Sequence, residues 1–208
     1  MNLPTHFRED RPERLDAFVA AHPLGALVVA TPDGLEANHI PILLNRDAAG
    51  HGVQCGHVAR ANELWRRAAD GTPALVVFGG AQCYVTPSWY PSKRTTGEVV
   101  PTWNYAVVHA HGPIRFIHER DWLLKFVSTL TDLNEKPRAA PWHVTDAPAA
   151  YVERMLRAIV GFEIAIERLE GKFKASQNRT AEDRAGVAAG LTAEGVDAAE
   201  REELVRPS

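Results

Sequence analysis

The sequence predicts a mainly β fold of the α+β class, an antiparallel barrel with helices attached to it. Short apolar segments are joined by tight turns, and amphipathic segments lie between them and after them. This order of elements is expected of an antiparallel sheet with flanking helices. The chain has no GxGxxG motif, no GxxxxGK[ST] motif and no βαβ alternation, so a Rossmann or P-loop fold is not expected.

The first half of the chain supplies the opening helix and the first hairpin. Pro12 begins a helix with Leu15 and Phe18 at helical spacing. The chain then predicts strands at 24–30 and 35–44 around a turn at 31–34, a second turn at 45–52, a strand at 53–57 and a short helix at 59–71.

The second half alternates long strands with two amphipathic helices. It predicts strand segments at 74–87 that bend at a Gly-Gly pair, a proline-rich loop at 87–101, a long strand at 102–117, helices at 122–135 and 147–160, one strand at 161–178 and a polar, alanine-rich helical tail. The charges of the tail alternate in sign, which is typical of a solvated helix.

The composition restricts the kind of protein further. With 208 residues and 45% apolar side chains, the chain is long enough for one domain, or one domain with an appendage. The formal charge of −3 does not favour a nucleic-acid ligand. Cys55 and Cys83 lack CxxC spacing, so neither a disulfide framework nor structural zinc is expected. A charged N-terminus and the lack of a long apolar run predict a cytoplasmic protein.

The first candidate site lies in the segment GKFKASQNR. If this segment is a strand, Lys172, Lys174 and Ser176 share one face. Two lysines on one face repel each other unless an anion lies between them, and a phosphate would suit this donor set. The alternative is a solvated edge strand that lysines protect from aggregation.

The second candidate site lies in the segment GHVARANELW, where a strand is expected to give way to a helix. His57, Arg60 and Asn62 would lie near free N–H groups at the helix start, which favour an anion. An ordinary amphipathic helix with an exposed arginine is the alternative.

The third candidate site is the aromatic segment YVTPSWYPSKRTTGEVVPTWNY. Tyr84, Trp103 and Tyr105 accompany hydroxyl groups, a composition that suits a flat ligand with polar edges such as a flavin or a porphyrin. Aromatic side chains that fill a small core are the alternative. His39, His109 and His111 do not stand with acidic residues at ligand spacing, so no metal site is predicted.

Several stretches together resemble one family, the PaiB-type FMN-binding transcriptional regulators. They are GLEANHIPILL, GHVARANELW, YVTPSWYPSK, VPTWNYAVVHAHG, MLRAIVGFEIAIERLEGKFKASQN and DRAGVAAGL, and they span nearly the whole chain. The resemblance implies a branch of the flavin-binding split-barrel superfamily: a six-stranded antiparallel split barrel that dimerises and binds FMN in a groove between subunits. It places the FMN-binding domain at 1–178 and a C-terminal helical extension at 179–208.

The resemblance and the three candidate sites together give the predicted cofactor-binding residues. They are His39, His57, Arg60, Asn62, Ser88, Tyr90, Lys93, Thr102, Trp103, Asn104, Lys174, Ser176, Gln177 and Asn178. Arg60 and Lys174 are expected to bind one phosphate from opposite sides of the groove, with Lys93 as a further cation. No catalytic residue is assigned, although Tyr90 or His109 could donate a proton near a flavin.

Two functions remain open at this point. One is a flavin-binding regulator or sensor without turnover, and the other is a flavin-dependent oxidoreductase or haem-handling enzyme that uses FMN with NAD(P)H. DNA is a weakly supported partner because the sequence has neither a helix–turn–helix pattern nor a basic recognition helix.

Overall fold

The computed structural model describes residues 1–46 and 52–205. Within this part of the chain the strands are β1 (Arg8–Glu9), β2 (Leu24–Thr31), β3 (Gly34–Pro41), β4 (Leu43–Arg46), β5 (Gly52–Ala59), β6 (Pro73–Val85), β7 (Thr102–Ile117), β8 (Ile159–Ala165) and β9 (Arg168–Lys174). The helices are α1 (Pro12–Ala21), α2 (Leu64–Arg67), α3 (Arg120–Glu135), α4 (Ala149–Arg157), α5 (Ala181–Ala193) and α6 (Ala198–Leu204).

The strands follow the order β3-β2-β6-β7-β8-β5-β4, and β9 pairs with β1 and β7. The pairs β1–β9, β2–β3, β2–β6, β4–β5, β5–β8 and β7–β8 are antiparallel. The mainly β antiparallel class is therefore confirmed, with nine strands in the described chain where six were expected.

The chain divides into two compact units. Unit 1 comprises Met1–His22, Phe78–His109 and the chain from Glu170 onward, and unit 2 comprises Pro23–Val77 and Ala110–Leu169. The strands β6 and β7 each continue from one unit into the other.

Unit 2 contains the predicted hairpin of β2 and β3. Its register runs from Leu24 opposite Pro41 to Thr31 opposite Gly34. Gly34 has a φ of 120°, a conformation that a residue with a side chain rarely adopts. The turn composition therefore predicted this hairpin correctly, but the strand expected at 35–44 ends at Pro41 and β4 is a separate strand.

The core of unit 2 lies on one face of β5 and β8. Gly56 is opposite Phe162, and Val58 is opposite Val160. A Cβ atom on Gly56 would lie 2.3 Å from the Phe162 ring, so the phenyl ring occupies the space that a side chain would need. Phe162 is fully buried as a result.

Unit 1 contains a core formed partly by the C-terminal helices, which the sequence suggested were solvated. Val187 and Leu191 of α5 and Leu204 of α6 are buried with Val85 and Tyr90. The solvated interpretation of the tail is therefore wrong, because apolar side chains spaced among its charges form one core with the end of β6.

Other differences from the expected elements concern boundaries. The segment 161–178 forms two strands, β8 and β9, and not one. The Gly-Gly pair does not interrupt β6, and the loop at 87–101 contains 3-10 turns at Pro87–Trp89 and Pro91–Arg94. Most of the turn expected at 45–52 lies outside the described residues.

Candidate functional site

The candidate site of unit 1 begins with the lysines of β9. Lys172 and Lys174 are two positions apart on a strand, so their side chains leave the same face. The strand ends at Lys174, and Ser176 has a φ of 62°, which redirects the chain toward Arg179. We call Lys172, Lys174 and Arg179 the basic cluster.

The basic cluster holds more positive charge than its surroundings neutralise. Burial lowers the pKa of Lys174 below the usual value of lysine, and the charges of Lys172 and then Arg179 lower it further. The Lys174 ammonium donates to the Thr102 hydroxyl and the Trp103 carbonyl oxygen, both neutral groups. Within the described chain, none of the three cations forms an ion pair, so the cluster has the charge expected of an anion site.

Aromatic side chains accompany the basic cluster in unit 1. The ring centres of Tyr84 and Trp103 lie 6.2 Å apart in an edge-to-face arrangement. Tyr84 is 49% exposed and Trp103 is 53% exposed. The Lys172 ammonium lies 5.5 Å from the centre of the Tyr105 ring. Exposed aromatic surface is therefore available in the same unit as the unpaired cations.

The remaining aromatic residues of this segment belong to the core. Tyr90 is 2% exposed, and the Arg179 guanidinium lies 4.6 Å from the centre of its ring. Trp89 packs on α5, where a Cβ atom on Gly190 would lie 2.3 Å from the indole. Both alternatives for the aromatic segment therefore apply, the core to Trp89 and Tyr90 and the surface to Tyr84 and Trp103.

The buried Asp183 fixes the loop that carries the predicted residues Ser88, Tyr90 and Lys93. Its carboxylate accepts hydrogen bonds from the Ser92 backbone N–H at 3.1 Å and the Ser92 hydroxyl at 2.8 Å. Ser88 and Lys93 are exposed in the neighbouring 3-10 turns. The helix α5 thus holds this loop in place within unit 1.

A second group of predicted residues forms a buried polar network. Asn104 is 1% exposed, and its side-chain amide donates to the Ser176 hydroxyl and the Leu204 carbonyl oxygen, each at 2.8 Å. Ser176 is 3% exposed. The expectation that Ser176 continues the strand beside the lysines is wrong, because the positive φ takes it off the strand and into this network.

Gln177 and Asn178 lie in the turn after β9. The Gln177 side chain bonds the backbone on both sides, because its Oε1 accepts from the Ala175 N–H at 2.7 Å and its Nε2 donates to the Phe173 carbonyl oxygen. Asn178 is exposed. Gln177 thus stabilises the turn that brings Arg179 into the basic cluster.

Four predicted residues lie in unit 2. Arg60 donates from Nε to the Arg157 carbonyl oxygen at 2.7 Å and from a terminal nitrogen to the Ile159 carbonyl oxygen at 2.8 Å. The helix α2 begins only at Leu64 and has four residues, so the expectation that Arg60 stands at a helix start is wrong. The turn between Arg60 and Leu64 separates the strand from the helix.

The other three residues of unit 2 have different surroundings. Asn62 donates to the Asn38 side chain at 2.6 Å and accepts from the Leu64 N–H at 3.0 Å. The His57 ring lies 5.6 Å from the Phe126 ring, and burial lowers the pKa of His57. His39 is exposed on β3.

The site contains two residues that the predicted set of ligands missed. Strand periodicity places Lys172 on the same face as Lys174, but the predicted set of ligands does not include it. Arg179 was assigned to a solvated tail. The signal for Arg179 was weak because a serine with positive φ, which turns the chain here, is uncommon and has no clear sequence signature.

Comparison with protein families gives a match over most of the chain. Residues 1–168 match the family described as "Putative FMN-binding domain". The chain belongs to this family. It is also 32% identical over 183 residues to the Bacillus subtilis protein named "Protease synthase and sporulation protein PAI 2", with 88% of this chain and 85% of that protein covered.

Other relatives extend the same similarity. An uncharacterized protein of Emericella nidulans is 35% identical over 219 residues, covering 88% of this chain and 87% of that protein. The FAD and haem binding protein from Mycobacterium smegmatis has a similar fold, with a TM-score of 0.60, 21% identity and coverage of 88% of this chain and 80% of that one.

A second solved structure supports the fold. The flavocytochrome Anf3 from Azotobacter vinelandii matches with a TM-score of 0.55 and 15% identity, over 86% of this chain and 75% of that one. The PaiB-type family, the split-barrel class and FMN as the cofactor are confirmed. None of the described helices combines the length and the apolar character needed to cross a membrane.

The residues of unit 1 fit FMN. A phosphate dianion suits the basic cluster, whose half-buried Lys174 is surrounded by further positive charge. A flat ring suits the exposed pair of Tyr84 and Trp103.

Proposed function

We propose that this chain is an FMN-binding regulatory protein of the PaiB type and that unit 1 holds the flavin. The observation that carries this proposal is the basic cluster, whose cations form no ion pair in the described chain. Burial, and after it the charges of Lys172 and Arg179, lower the pKa of Lys174. Because this charge is partly buried and lacks a carboxylate partner, it favours an anionic ligand.

The basic cluster binds the phosphate in this proposal. Lys174 is fixed by the Thr102 hydroxyl and the Trp103 carbonyl oxygen, so little side-chain freedom remains to be lost on binding. Lys172 and Arg179 add charge, and Lys93 of the exposed loop is a further candidate. The sequence also predicts Arg60 as a phosphate ligand, but two of its donors are directed to backbone carbonyl groups, so this proposal assigns Arg60 to the fold of unit 2.

The aromatic residues orient the ring in this proposal. Trp103 and Tyr84 offer apolar surface to one face of a flavin, and the backbone of Trp103 is tied to Lys174. When bound, FMN supplies a ring that can accept and donate electrons. The chain itself supplies the charge that selects the phosphate and the surface that positions the ring.

We further propose that the protein is a cytoplasmic homodimer. The exposed aromatic pair covers at most one face of a flat ligand, and a second copy can cover the other. The regulatory part of the proposal is supported by the PaiB-type family and by the Bacillus subtilis relative's name.

The flavin that the protein carries tests the proposed site. Flavin released by boiling should be FMN in stoichiometric amount, because the basic cluster suits one terminal phosphate. Stoichiometric FAD would contradict the proposal. Sedimentation of the FMN-loaded protein should show a dimer, and a fully loaded monomer at micromolar concentration would contradict the shared groove.

A gel shift and an NAD(P)H oxidation assay on the FMN-loaded protein separate regulation from turnover. A regulator that acts on DNA should retard fragments from its own promoter region and should not oxidise NAD(P)H steadily. Steady oxidation without a gel shift would favour the oxidoreductase.

A further inference from the structure

Unit 2 contains a cavity of about 410 Å³ between α3 and the strands β4, β5 and β8. This volume lies within the range of cavities that hold small organic ligands. The helix contributes Trp122, Lys125, Phe126 and Thr129, and Cys55 and Glu163 line the opposite side.

The helix side of this cavity is aromatic, since Trp122 and Phe126 line it. The rings of Trp122 and Phe126 are stacked, with centres 5.3 Å apart and an angle of 6° between them. The Trp122 indole is fixed because its N–H donates to Glu163 at 2.8 Å and because its ring lies over Gly161, where a Cβ atom would be 2.3 Å away. An aromatic surface fixed in this way suits contact with an aromatic ligand, in either a stacked or an edge-to-face arrangement.

The charges around the cavity favour an anion. Glu163 is already engaged, since one oxygen accepts from Trp122 and the other accepts from Arg115 at 2.7 Å. Burial raises the pKa of the Cys55 thiol to about 11, so Cys55 is neutral. Lys125, on the exposed side of α3, forms no ion pair with any described residue and is the cation left to receive a ligand.

We propose that this cavity binds a small aromatic monocarboxylate, with its ring against Trp122 and Phe126 and its carboxylate at Lys125. The proposal does not rest on the proposed function, because every residue it uses lies in unit 2 and no flavin phosphate is involved.

Calorimetric titration of the FMN-loaded protein with cinnamate and with cinnamamide tests the proposal. The two probes have nearly the same shape, and only cinnamate carries a charge. We expect cinnamate to bind more tightly. Lys125→Gln should weaken cinnamate about five- to tenfold through the lost charge-assisted contact and leave cinnamamide within about twofold.

Two further variants complete the test. Lys136→Gln removes an exposed lysine at the end of the same helix and should leave both probes unaffected. Thr129→Trp should block the cavity from its exposed rim and abolish binding of both probes while FMN remains bound. The proposal is overturned if wild-type protein binds neither probe, if it binds both equally, or if Thr129→Trp releases FMN.

Discussion

One set of cations in each unit uses positive charge in the opposite way to the other set. In unit 2, Arg60 donates hydrogen bonds to two backbone carbonyl groups. Arg67 forms ion pairs with Glu36 and Asp33, and Arg115 forms one with Glu163. In unit 1, the cations of the basic cluster face neutral groups and each other. Cationic side chains that have acceptors in the protein stabilise the fold, whereas cationic side chains without such acceptors favour the binding of an anionic ligand.

Unit 1 also contains the buried polar network of Asn104, and removing it should give the largest effect. Asn104→Leu takes the donor away from the Leu204 carbonyl oxygen and the Ser176 hydroxyl in a buried setting. We expect a loss of about 2–4 kcal/mol in the free energy of unfolding, measured with urea. Asn134→Leu removes an exposed bond to the Leu130 carbonyl oxygen and should change stability little.

The same variant tests Asn104 as a predicted cofactor ligand. Folded Asn104→Leu protein should keep the wild-type preference for FMN over riboflavin. A selective loss of FMN affinity would instead show that Asn104 binds the cofactor.

Removing Lys174, the central cation of the basic cluster, should show whether the cations of unit 1 bind an anion. Lys174→Met should weaken FMN roughly ten- to a hundredfold, because a charge-assisted hydrogen bond contributes about 1.5–3 kcal/mol. Riboflavin lacks the phosphate, so its affinity should hardly change. Flavin fluorescence quenching measures both, and equal losses for the two flavins would remove Lys174 from the phosphate site.

Removing a charge from unit 2 should affect folding and not flavin selection. Arg60→Ala leaves the Arg157 and Ile159 carbonyl groups without these donors, so we expect stability to fall by about 1–2 kcal/mol. Arg66→Ala, at an exposed arginine, is the matched control and should cost less than about 0.5 kcal/mol. If Arg60→Ala selectively weakens FMN relative to riboflavin, Arg60 binds the phosphate as the sequence predicted.

The smallest expected effect is the dependence of FMN affinity on pH. The pKa of Lys174 is lowered in the free protein, and a bound phosphate should raise it again. FMN should therefore bind most tightly below the pKa that Lys174 has in the free protein. Its affinity should decline as the pH rises through that pKa, by less than about tenfold per pH unit for one proton. Titrations at increasing alkaline pH should show this decline for FMN, a weaker one for Lys174→Arg and none for riboflavin.

Much of the fold could be predicted because local chemistry determines it. The turn residues before Gly34 specified the hairpin, and the strand predicted at 102–117 coincides with β7. The helix boundaries were less predictable, since α2 keeps only four residues of a longer helical pattern. The prediction that the C-terminal tail is solvated was wrong, because the spacing of its apolar residues does not show which other residues they pack against.

The sequence by itself determined the family, the antiparallel class and the pairing of Lys172 with Lys174, because strand periodicity fixes which side chains share a face. Only the tertiary structure decided which candidates are exposed. It buried Asn104 and Ser176, directed Arg60 to backbone carbonyl groups and brought Arg179 near Lys174. The physical reason is that burial and hydrogen-bond partners depend on residues distant in the chain, and these decide whether a polar side chain serves the fold or remains available to a ligand.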